Sequence, residues 1–298
     1  MYANFHTHTR FSDGSDEPIQ YVEKALSLGM KSLGFSDHSP LPFENTFALR
    51  PENMQEYCDT ILELKNRYAM GDGRYAIKNS SCNLYPASCI RIFLGLEVDY
   101  IPGMGASFSY YQENYPLDYL IGSVHLVRNP FSDDLWFIDG HDPASWDGGL
   151  NKLFGGDIRK GVAAYYQQIN EMLSTRKMDI VGHLDKIKMH NRGRFFSDED
   201  TWYQKLVAET LELVKQEGVI VEVNTRGLYK KRSDSLFPGT AILKKIFDMK
   251  IPVMISSDAH KPSEIAMLFG ETATWLYQIG FRELMELGHS GWEAVALK

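Results

Sequence analysis

The sequence predicts an α/β fold in which parallel strands close into a barrel. Short apolar runs rich in β-branched residues alternate with amphipathic stretches of helical period along nearly the whole chain. Repeated strand and helix units imply parallel strands that are buried on both faces. The chain has 298 residues, and about seven such runs suit one (β/α) barrel, which typically takes ~250 residues, better than two separate domains.

The N-terminal region predicts a strand, a helix and a second strand. The two strands cover Tyr2–His6 and Ser32–Ser36. Between them, Glu17–Leu28 places its apolar residues at helical spacing, with Pro18 suited to the first turn and Gly29 to the C-terminal stop. This region therefore supplies the first two strands of the barrel and the helix between them.

A longer helix opens at Pro51 and runs to about Ala69, because apolar residues recur on one face. The following stretch, Gly71–Ser88, is polar and rich in turn residues. It follows a peripheral helix and lies away from the predicted C-terminal ends of the strands. We therefore expect a surface insertion here rather than a lid over an active site.

The alternation of strands and helices then resumes. Apolar runs predict further strands at Ile90–Val98, Tyr119–Val124, Ile180–Gly182, Val219–Val223 and Val253–Ser256. Helical spacing predicts helices near Asp157–Thr175, Ser197–Glu217 and Pro238–Met249. The aromatic segment Asp134–Gly149 is predicted to be irregular, and Ile279–Lys298 fits either a helix or a closing hairpin.

Composition and charge restrict the class of partner. The formal net charge of -8 disfavours general attraction to nucleic acid or to anionic lipid, so a phosphate-bearing substrate needs a local cationic patch or metal ions. No apolar run approaches the ~20 residues of a membrane-spanning helix. The N-terminus also lacks the pattern of a secretory signal, so we expect a cytoplasmic protein.

Six of the nine histidines stand at or just beyond the end of a predicted strand. They are His6, His8, His38, His125, His183 and His260. In a (β/α) barrel the C-terminal ends of the strands converge on the face where catalysis takes place. His6 and His8 are two residues apart in an extended segment, so both imidazoles lie on the same side of the chain and can address one metal ion.

Three carboxylates join this set of histidines. Glu97 and Asp258 stand near strand ends, and Asp13 lies in a compact turn, where by itself it indicates only turn chemistry or helix capping. Such groups, clustered without a counterion, would cost several kcal/mol to bury. Bound divalent cations remove this cost, and nine candidate ligands suit two or three ions better than one tetrahedral site.

The ordered motifs HTH, SDG, SDH, GLE, GSVH, GH and SDAH resemble the polymerase and histidinol phosphatase (PHP) superfamily of metal-dependent phosphoesterases. The longer stretches GSVHLV, VGHLDKIK, VEVNTRGLYKK and ISSDAHKP resemble its monofunctional histidinol-phosphatase branch. This resemblance implies a distorted (β/α)7 TIM-like barrel over residues 1–298. The stretch at about 71–88 departs from the compact family pattern and is the expected insertion. It also implies cleavage of L-histidinol phosphate to L-histidinol and phosphate in histidine biosynthesis.

The resemblance implies a trinuclear metal centre. One ion would be held by His6, His8, Glu97 and Asp258. Glu97 would bridge to a second ion that His125 and His183 also hold, while Asp13, His38 and His260 would hold the third. Mixed imidazole and carboxylate sites accept zinc, manganese or iron. A water bridging two such ions ionises readily, and the resulting hydroxide is the expected nucleophile. Asp258 and a metal-bound water are both candidate proton donors to the leaving group.

Residues outside this set have open roles. Arg226 follows a predicted strand, where it can either bind phosphate through two hydrogen bonds or form a surface ion pair. Asp185 can orient a ligand or cap local backbone. Trp136, Phe137 and Trp146 can shield an imidazole-bearing substrate or fill a loop core, and we favour the core interpretation.

Alternative functions remain open at this stage. The first is a PHP phosphoesterase that acts on another small phosphomonoester or a nucleotide. The second is a metal-dependent amidohydrolase, which also carries HxH on a barrel, although the additional set of Asp13, His38 and His260 argues against it. The third is a metal-binding module without catalysis, which the complete set of ligands makes less favourable. In the preferred hypothesis the partner is a small-molecule phosphomonoester.

Overall fold

The computed structural model describes residues 3–68 and 90–297. The predicted insertion at 71–88 lies outside these residues. The strands are β1 Ser32–Phe35, β2 Arg91–Asp99, β3 Tyr119–Ser123, β4 Leu126–Arg128, β5 Leu135–Phe137, β6 Ile180–Val181, β7 Ile220–Asn224, β8 Val253–Ser256, β9 Glu283–Leu287 and β10 Trp292–Ala296. The helices are α1 Pro18–Ser27, α2 Met54–Tyr68, α3 Phe108–Asn114, α4 Pro143–Phe154, α5 Ile158–Thr175, α6 Thr201–Glu217, α7 Arg226–Tyr229, α8 Thr240–Met249 and α9 Phe269–Ile279.

The central sheet has six parallel strands in the order β1-β2-β3-β6-β7-β8. The segment before α1 closes it, since Asn4 bridges to Leu33 of β1 and Thr7 bridges to Ala259 just beyond β8. The ring therefore has seven parallel members, which confirms the predicted (β/α)7 fold. Of the predicted strand Tyr2–His6, the described part begins at Ala3 and pairs through the isolated bridge at Asn4 rather than as a continuous strand.

The interior of the ring changes from apolar to polar along the strands. In β2, alternation directs Phe93, Gly95, Glu97 and Asp99 into the ring and the residues between them towards the helices. Phe93 packs in an interior apolar cluster, which ends near the middle of the strands. The C-terminal half of the ring is therefore lined by polar side chains that need partners.

The C-terminal segment forms a hairpin rather than a helix. Strands β9 and β10 pair antiparallel, and Trp292 packs edge-on against Phe5 with ring centroids 5.3 Å apart. Trp292 Nε1 also donates to Asp179, just before β6, at 3.0 Å. The hairpin thus covers the N-terminal ends of the strands and leaves their C-terminal ends free for a site.

The segment Asp134–Gly149, predicted to be irregular, contains regular structure. Strand β5 pairs antiparallel with β4, and the Asp142 side chain caps α4 by accepting from the backbone N–H of Ala144. Trp136 and Trp146 are fully buried against each other, so they fill a loop core. Strands of three residues are too short to show a period in sequence. Gly148 and Gly149 lower the helix propensity of α4 and hide it in the sequence.

The predicted helices form with shifts at their N-terminal ends. A 3-10 turn over Pro51–Asn53 precedes α2, and α6 begins at Thr201 rather than Ser197. Glu17 and Gln20 form a capping box at the start of α1. In the described part of the chain, none of the helices combines the length and the apolar character that a bilayer crossing requires.

Candidate metal centre

The structure brings the nine predicted ligands together at the C-terminal end of the ring. His6 and His8 share the segment before α1, Asp258 and His260 both follow β8, and Asp13 lies in the loop after His8. The other four ligands end or follow members of their own. Eight of them are buried or nearly so, and Asp13 is the most exposed, with 31% of its side chain accessible. The set is His6, His8, Asp13, His38, Glu97, His125, His183, Asp258 and His260.

Glu97 lies at the centre of this set. Its Oε2 is 3.2 Å from His6 Nε2 and 3.1 Å from His38 Nδ1. Its Oε1 is 3.1 Å from His183 Nε2 and 3.7 Å from His125 Nε2. The two carboxylate oxygens therefore face two different groups of imidazoles, which is the arrangement that a bridging carboxylate needs.

The donor atoms divide into groups that are close enough to share an ion. Within each group the donor atoms lie within 4.8 Å of one another. The groups are His8, Asp13, His38 and His260; His6, His8 and Glu97; Glu97, His125 and His183; and His38, Asp99 and His125. His8 thus faces two groups, whereas the sequence had assigned it to one, and Asp99 is an additional candidate donor.

Asp258 and its backbone belong to the same cluster. Its Oδ1 lies 3.3 Å from His8 Nε2 and 3.9 Å from His6 Nε2. The residue has a φ of 48°, a conformation that costs a non-glycine residue of order 1 kcal/mol. Its carbonyl accepts a hydrogen bond from the Arg226 guanidinium at 2.7 Å, which holds the carboxylate in place over the ring.

The donor set fits divalent cations on chemical grounds. His6 Nδ1 donates to Glu222 at 2.5 Å, so in the neutral ring, the form that binds metal, Nε2 carries the lone pair and faces Glu97 Oε2. Among the described residues, His6 Nε2, both ring nitrogens of His8, His38 Nδ1 and Glu97 Oε2 are buried without a hydrogen-bond partner. Facing lone pairs in a buried site repel each other. Bound cations would remove this repulsion and would supply the partners that these atoms lack.

Glu222, which sequence reasoning missed, holds two of the donors. Its Oε1 accepts from His6 Nδ1, and its Oε2 accepts from the backbone N–H of His183 at 2.7 Å. Burial raises the pKa of Glu222, but His6 and His183 together lower it below the ordinary value, so the group is an anion. A single carboxylate inside the apolar run of β7 was the available signal, since a buried charge must be paired.

Asp99, also missed, orients another imidazole. It accepts from His125 Nδ1 at 2.6 Å, which directs His125 Nε2 to within 3.0 Å of His183 Nε2. Burial raises the pKa of Asp99, but His125 and His38 together lower it below the ordinary value. Carboxylate and imidazole pairs of this kind fix the tautomer of a metal-binding histidine.

Asp37 is a third residue that the sequence did not single out. Its fully buried carboxylate accepts from the backbone N–H groups of Thr9 and Ser12 at 2.8 and 3.1 Å, and from the Ser12 hydroxyl at 2.6 Å. These bonds fix the loop that carries Asp13, whose carboxylate lies 3.1 Å from His260 Nε2. Asp37 therefore positions one group of donors without contacting it.

Asp37→Ala is expected to lower metal content by about one ion and activity by at least about tenfold, because outer groups of this kind typically change metal affinity 10- to 100-fold. It also leaves buried N–H donors without acceptors. Elemental analysis of the purified variant measures the metal content. Asp59→Ala, at an exposed position of α2, is the matched control. An unchanged metal content in Asp37→Ala would contradict this positioning role.

The other residues considered from sequence have definite places. Arg226 is only 9% exposed, so it is not a surface ion pair. Asp185 accepts from the backbone N–H of Gly239 at 3.0 Å, and so it fastens the start of α8. Phe137 is 40% exposed, so the core interpretation is wrong for this residue. It stacks on Phe47 at 5.5 Å, and Phe47 in turn lies edge-on to His38.

A closed (β/α)7 ring with a buried imidazole and carboxylate cluster at its C-terminal end defines a metal-dependent hydrolase of the barrel type. A model of the PHP domain matches residues 4–226. The chain therefore belongs to the PHP domain family.

Individual relatives extend over nearly the whole chain. A Bacillus subtilis protein named histidinol-phosphatase is 26% identical over 278 residues, which cover 89% of this chain and 95% of the relative. A Deinococcus radiodurans protein named "Probable histidinol-phosphatase" is 25% identical over 280 residues, which cover 93% of each chain. The crystal structure of histidinol phosphate phosphatase from Lactococcus lactis, complexed with zinc, L-histidinol and phosphate, has a TM-score of 0.65 at 18% identity and covers 98% of both chains.

Proposed function

We propose that this protein is a metal-dependent phosphomonoesterase that hydrolyses L-histidinol phosphate to L-histidinol and phosphate. The observation that carries the proposal is the buried cluster of donors around Glu97, whose two oxygens face separate imidazole groups. The names of the relatives support the choice of substrate, as do the ligands of the Lactococcus lactis structure. The fold alone would support many other chemistries.

We propose that the nine donors hold three divalent ions. One ion would be held by the group that contains His6 and Glu97, and a second by the group that contains Glu97 and His183. The third ion would be held by the group that contains Asp13 and His260. Zinc, manganese and iron all suit such donors, and zinc is the ion in the Lactococcus lactis structure. When bound, the ions would make a coordinated water acidic and neutralise the charge of the phosphate.

Residues of the chain itself prepare the site for this chemistry. Glu222 and Asp99 hold the imidazoles of His6 and His125 in one orientation, which reduces the rearrangement needed when the substrate binds. Arg226 uses one N–H on the Asp258 carbonyl and retains further donors for a phosphate oxygen. In this proposal Glu97 and Asp258 bind metal, and Arg226 binds phosphate.

The wider setting follows from the same hypothesis. We propose one barrel domain over residues 1–298 with a surface insertion at about 71–88. The substrate is a small phosphomonoester, and nucleic acid and membrane are not partners, which agrees with the formal net charge of -8. A cytoplasmic location suits a step of amino-acid biosynthesis.

A panel of phosphomonoesters tests the proposed function. Metal-reconstituted protein should release phosphate from L-histidinol phosphate with a kcat/KM at least about 100-fold higher than for other small esters, since matched polar contacts discriminate by such factors. The Glu97→Ala variant, prepared in parallel, controls for contaminating phosphatases. A strong preference for another ester or a nucleotide would replace the substrate and leave the metal chemistry standing.

A further inference from the structure

A buried ion pair borders the metal centre without belonging to it. Lys186 lies three residues beyond His183, and only 4% of its side chain is exposed. Its Nζ is 2.9 Å from Oδ2 of Asp139, a residue of the loop after β5. The same Oδ2 is 4.0 Å from His125 Nε2. The pair thus stands within one side-chain length of the donors around Glu97.

The surrounding charges keep both members of the pair ionised. Burial lowers the pKa of Lys186, but Asp139, Asp258 and Glu97 together raise it above the ordinary value. Burial raises the pKa of Asp139, but Lys186 and His125 lower it to about 2. Asp258 and Asp139 also raise the pKa of Arg226, so the two cations, Lys186 and Arg226, face the same carboxylates.

Each member of the pair has unused hydrogen-bonding capacity. Within the described part of the chain, Asp139 Oδ1 is buried and has no hydrogen-bond partner. An ionised oxygen in that condition is destabilising, and a cationic group of a ligand would relieve it. An ammonium group has three donors, and the ion-pair partner of Lys186 among the described residues is Asp139. The pair therefore offers one free anionic acceptor next to free cationic donors.

A substrate with adjacent opposite charges matches this arrangement. In L-histidinol phosphate the ammonium group is on the carbon next to the one that carries the phosphate ester. The phosphate is drawn to the metal centre and to the cations beside it, which places the ammonium group near the carboxylate of the pair. An ester of the same length without an amino group would leave Asp139 Oδ1 without a partner.

We propose that Lys186 binds a phosphate oxygen and that Asp139 Oδ1 binds the ammonium group of the substrate, so that the pair selects phosphate esters of amino alcohols. This inference rests on the proposed function and deepens it. The alternative role for Asp139 is to position Lys186 alone, in which case the loss of its charge would weaken the binding of every phosphate ester equally.

The test compares two substrates in one variant. Asp139→Asn is expected to lower the ratio of kcat/KM for L-histidinol phosphate to kcat/KM for the same ester without the amino group by about 10- to 100-fold. This ratio does not depend on the fraction of protein that is folded or loaded with metal. A ratio equal to that of the wild type would overturn the role of Asp139 in selection.

Two further variants complete the experiment. Lys186→Met is expected to lower kcat/KM at least about tenfold for both esters and to keep their ratio; unchanged values for both would overturn the phosphate contact. Asp133→Asn, an exposed change on the preceding loop, with 82% of the Asp133 side chain accessible, should keep the wild-type ratio. A change of ratio in that control equal to the change in Asp139→Asn would also overturn the inference.

A binding measurement covers the case in which Asp139→Asn has no turnover. Calorimetric titration of the metal-loaded variant with L-histidinol and with the alcohol that lacks the amino group gives a ratio of affinities, which should fall by the same factor. The proposed function itself is contradicted if the wild-type protein does not prefer L-histidinol phosphate to esters of unrelated alcohols. The inference fails alone if the wild type has that preference and Asp139→Asn retains it.

Discussion

Glu97→Ala is expected to abolish turnover, with a loss of at least about 1,000-fold in kcat, and to reduce the metal content of the purified protein. Both oxygens of Glu97 take part, Oε2 towards His6 and His38 and Oε1 towards His183. One truncation therefore removes a donor from two metal groups together. Metal ions supply several kcal/mol of charge stabilisation to phosphoryl transfer, and each 1.36 kcal/mol corresponds to about a tenfold change in rate.

The measurement combines phosphate release with elemental analysis on the same preparation. Glu113→Ala removes an exposed glutamate from α3 and should leave both values unchanged. Glu97→Gln keeps the shape of the side chain and removes its charge, so it should also lose metal if charge neutralisation is the reason. Full activity of Glu97→Ala would contradict the assignment of Glu97 as a ligand.

The sequence was sufficient to predict the ring and the donors because both depend on local patterns. Apolar runs of the right length locate β7 and β8, and the residues just beyond such runs must lie at one end of a parallel sheet. His183 and Asp258 were predicted on this basis alone. The structure adds that His8 faces two groups of donors, which spacing along the chain does not determine.

The supporting residues could not be predicted because their partners are distant in the chain. Glu222 contacts His6 from 216 residues away, and nothing in the local sequence of β7 names that partner. Lys186 and Asp139 meet only because the loop after β5 folds over the end of β6. Asp37 belongs to the motif SDH, next to the ligand His38, while its contacts are with the loop around Ser12.

Glu222 connects the stability of the barrel to the order of its metal centre. In β7 the period of two directs Ile220, Glu222 and Asn224 into the ring, from its apolar end towards its polar end. Glu222 lies between the interior apolar cluster and the donors, where it also accepts from Ser256 Oγ and from Asn224 Nδ2. The Glu222 carboxylate thus accepts four hydrogen bonds from residues on four members of the ring.

Glu222→Ala is expected to lower the free energy of unfolding by about 3–5 kcal/mol, since it leaves several buried donors without an acceptor. It should also weaken metal binding by about 10- to 100-fold, because His6 is no longer held with Nε2 towards Glu97. Urea unfolding of the metal-free protein measures the first quantity, and metal titration of the folded variant measures the second. Glu212→Ala, on the exposed face of α6, should change stability by less than about 0.5 kcal/mol.

The conservative variant Glu222→Gln separates the two effects. A glutamine oxygen can still accept from His6 Nδ1 and Ser256 Oγ, whereas the amide nitrogen cannot accept from the backbone N–H of His183, so only part of the stability should return. The negative charge of Glu222, which makes the His6 imidazole a stronger metal ligand, is lost. Metal affinity should therefore remain at least about tenfold below that of the wild type. If Glu222→Gln instead bound metal as tightly as the wild type, Glu222 would only stabilise the fold. A partial return of stability with a persistent loss of affinity would show that the ionised carboxylate of Glu222 acts on the metal centre through His6.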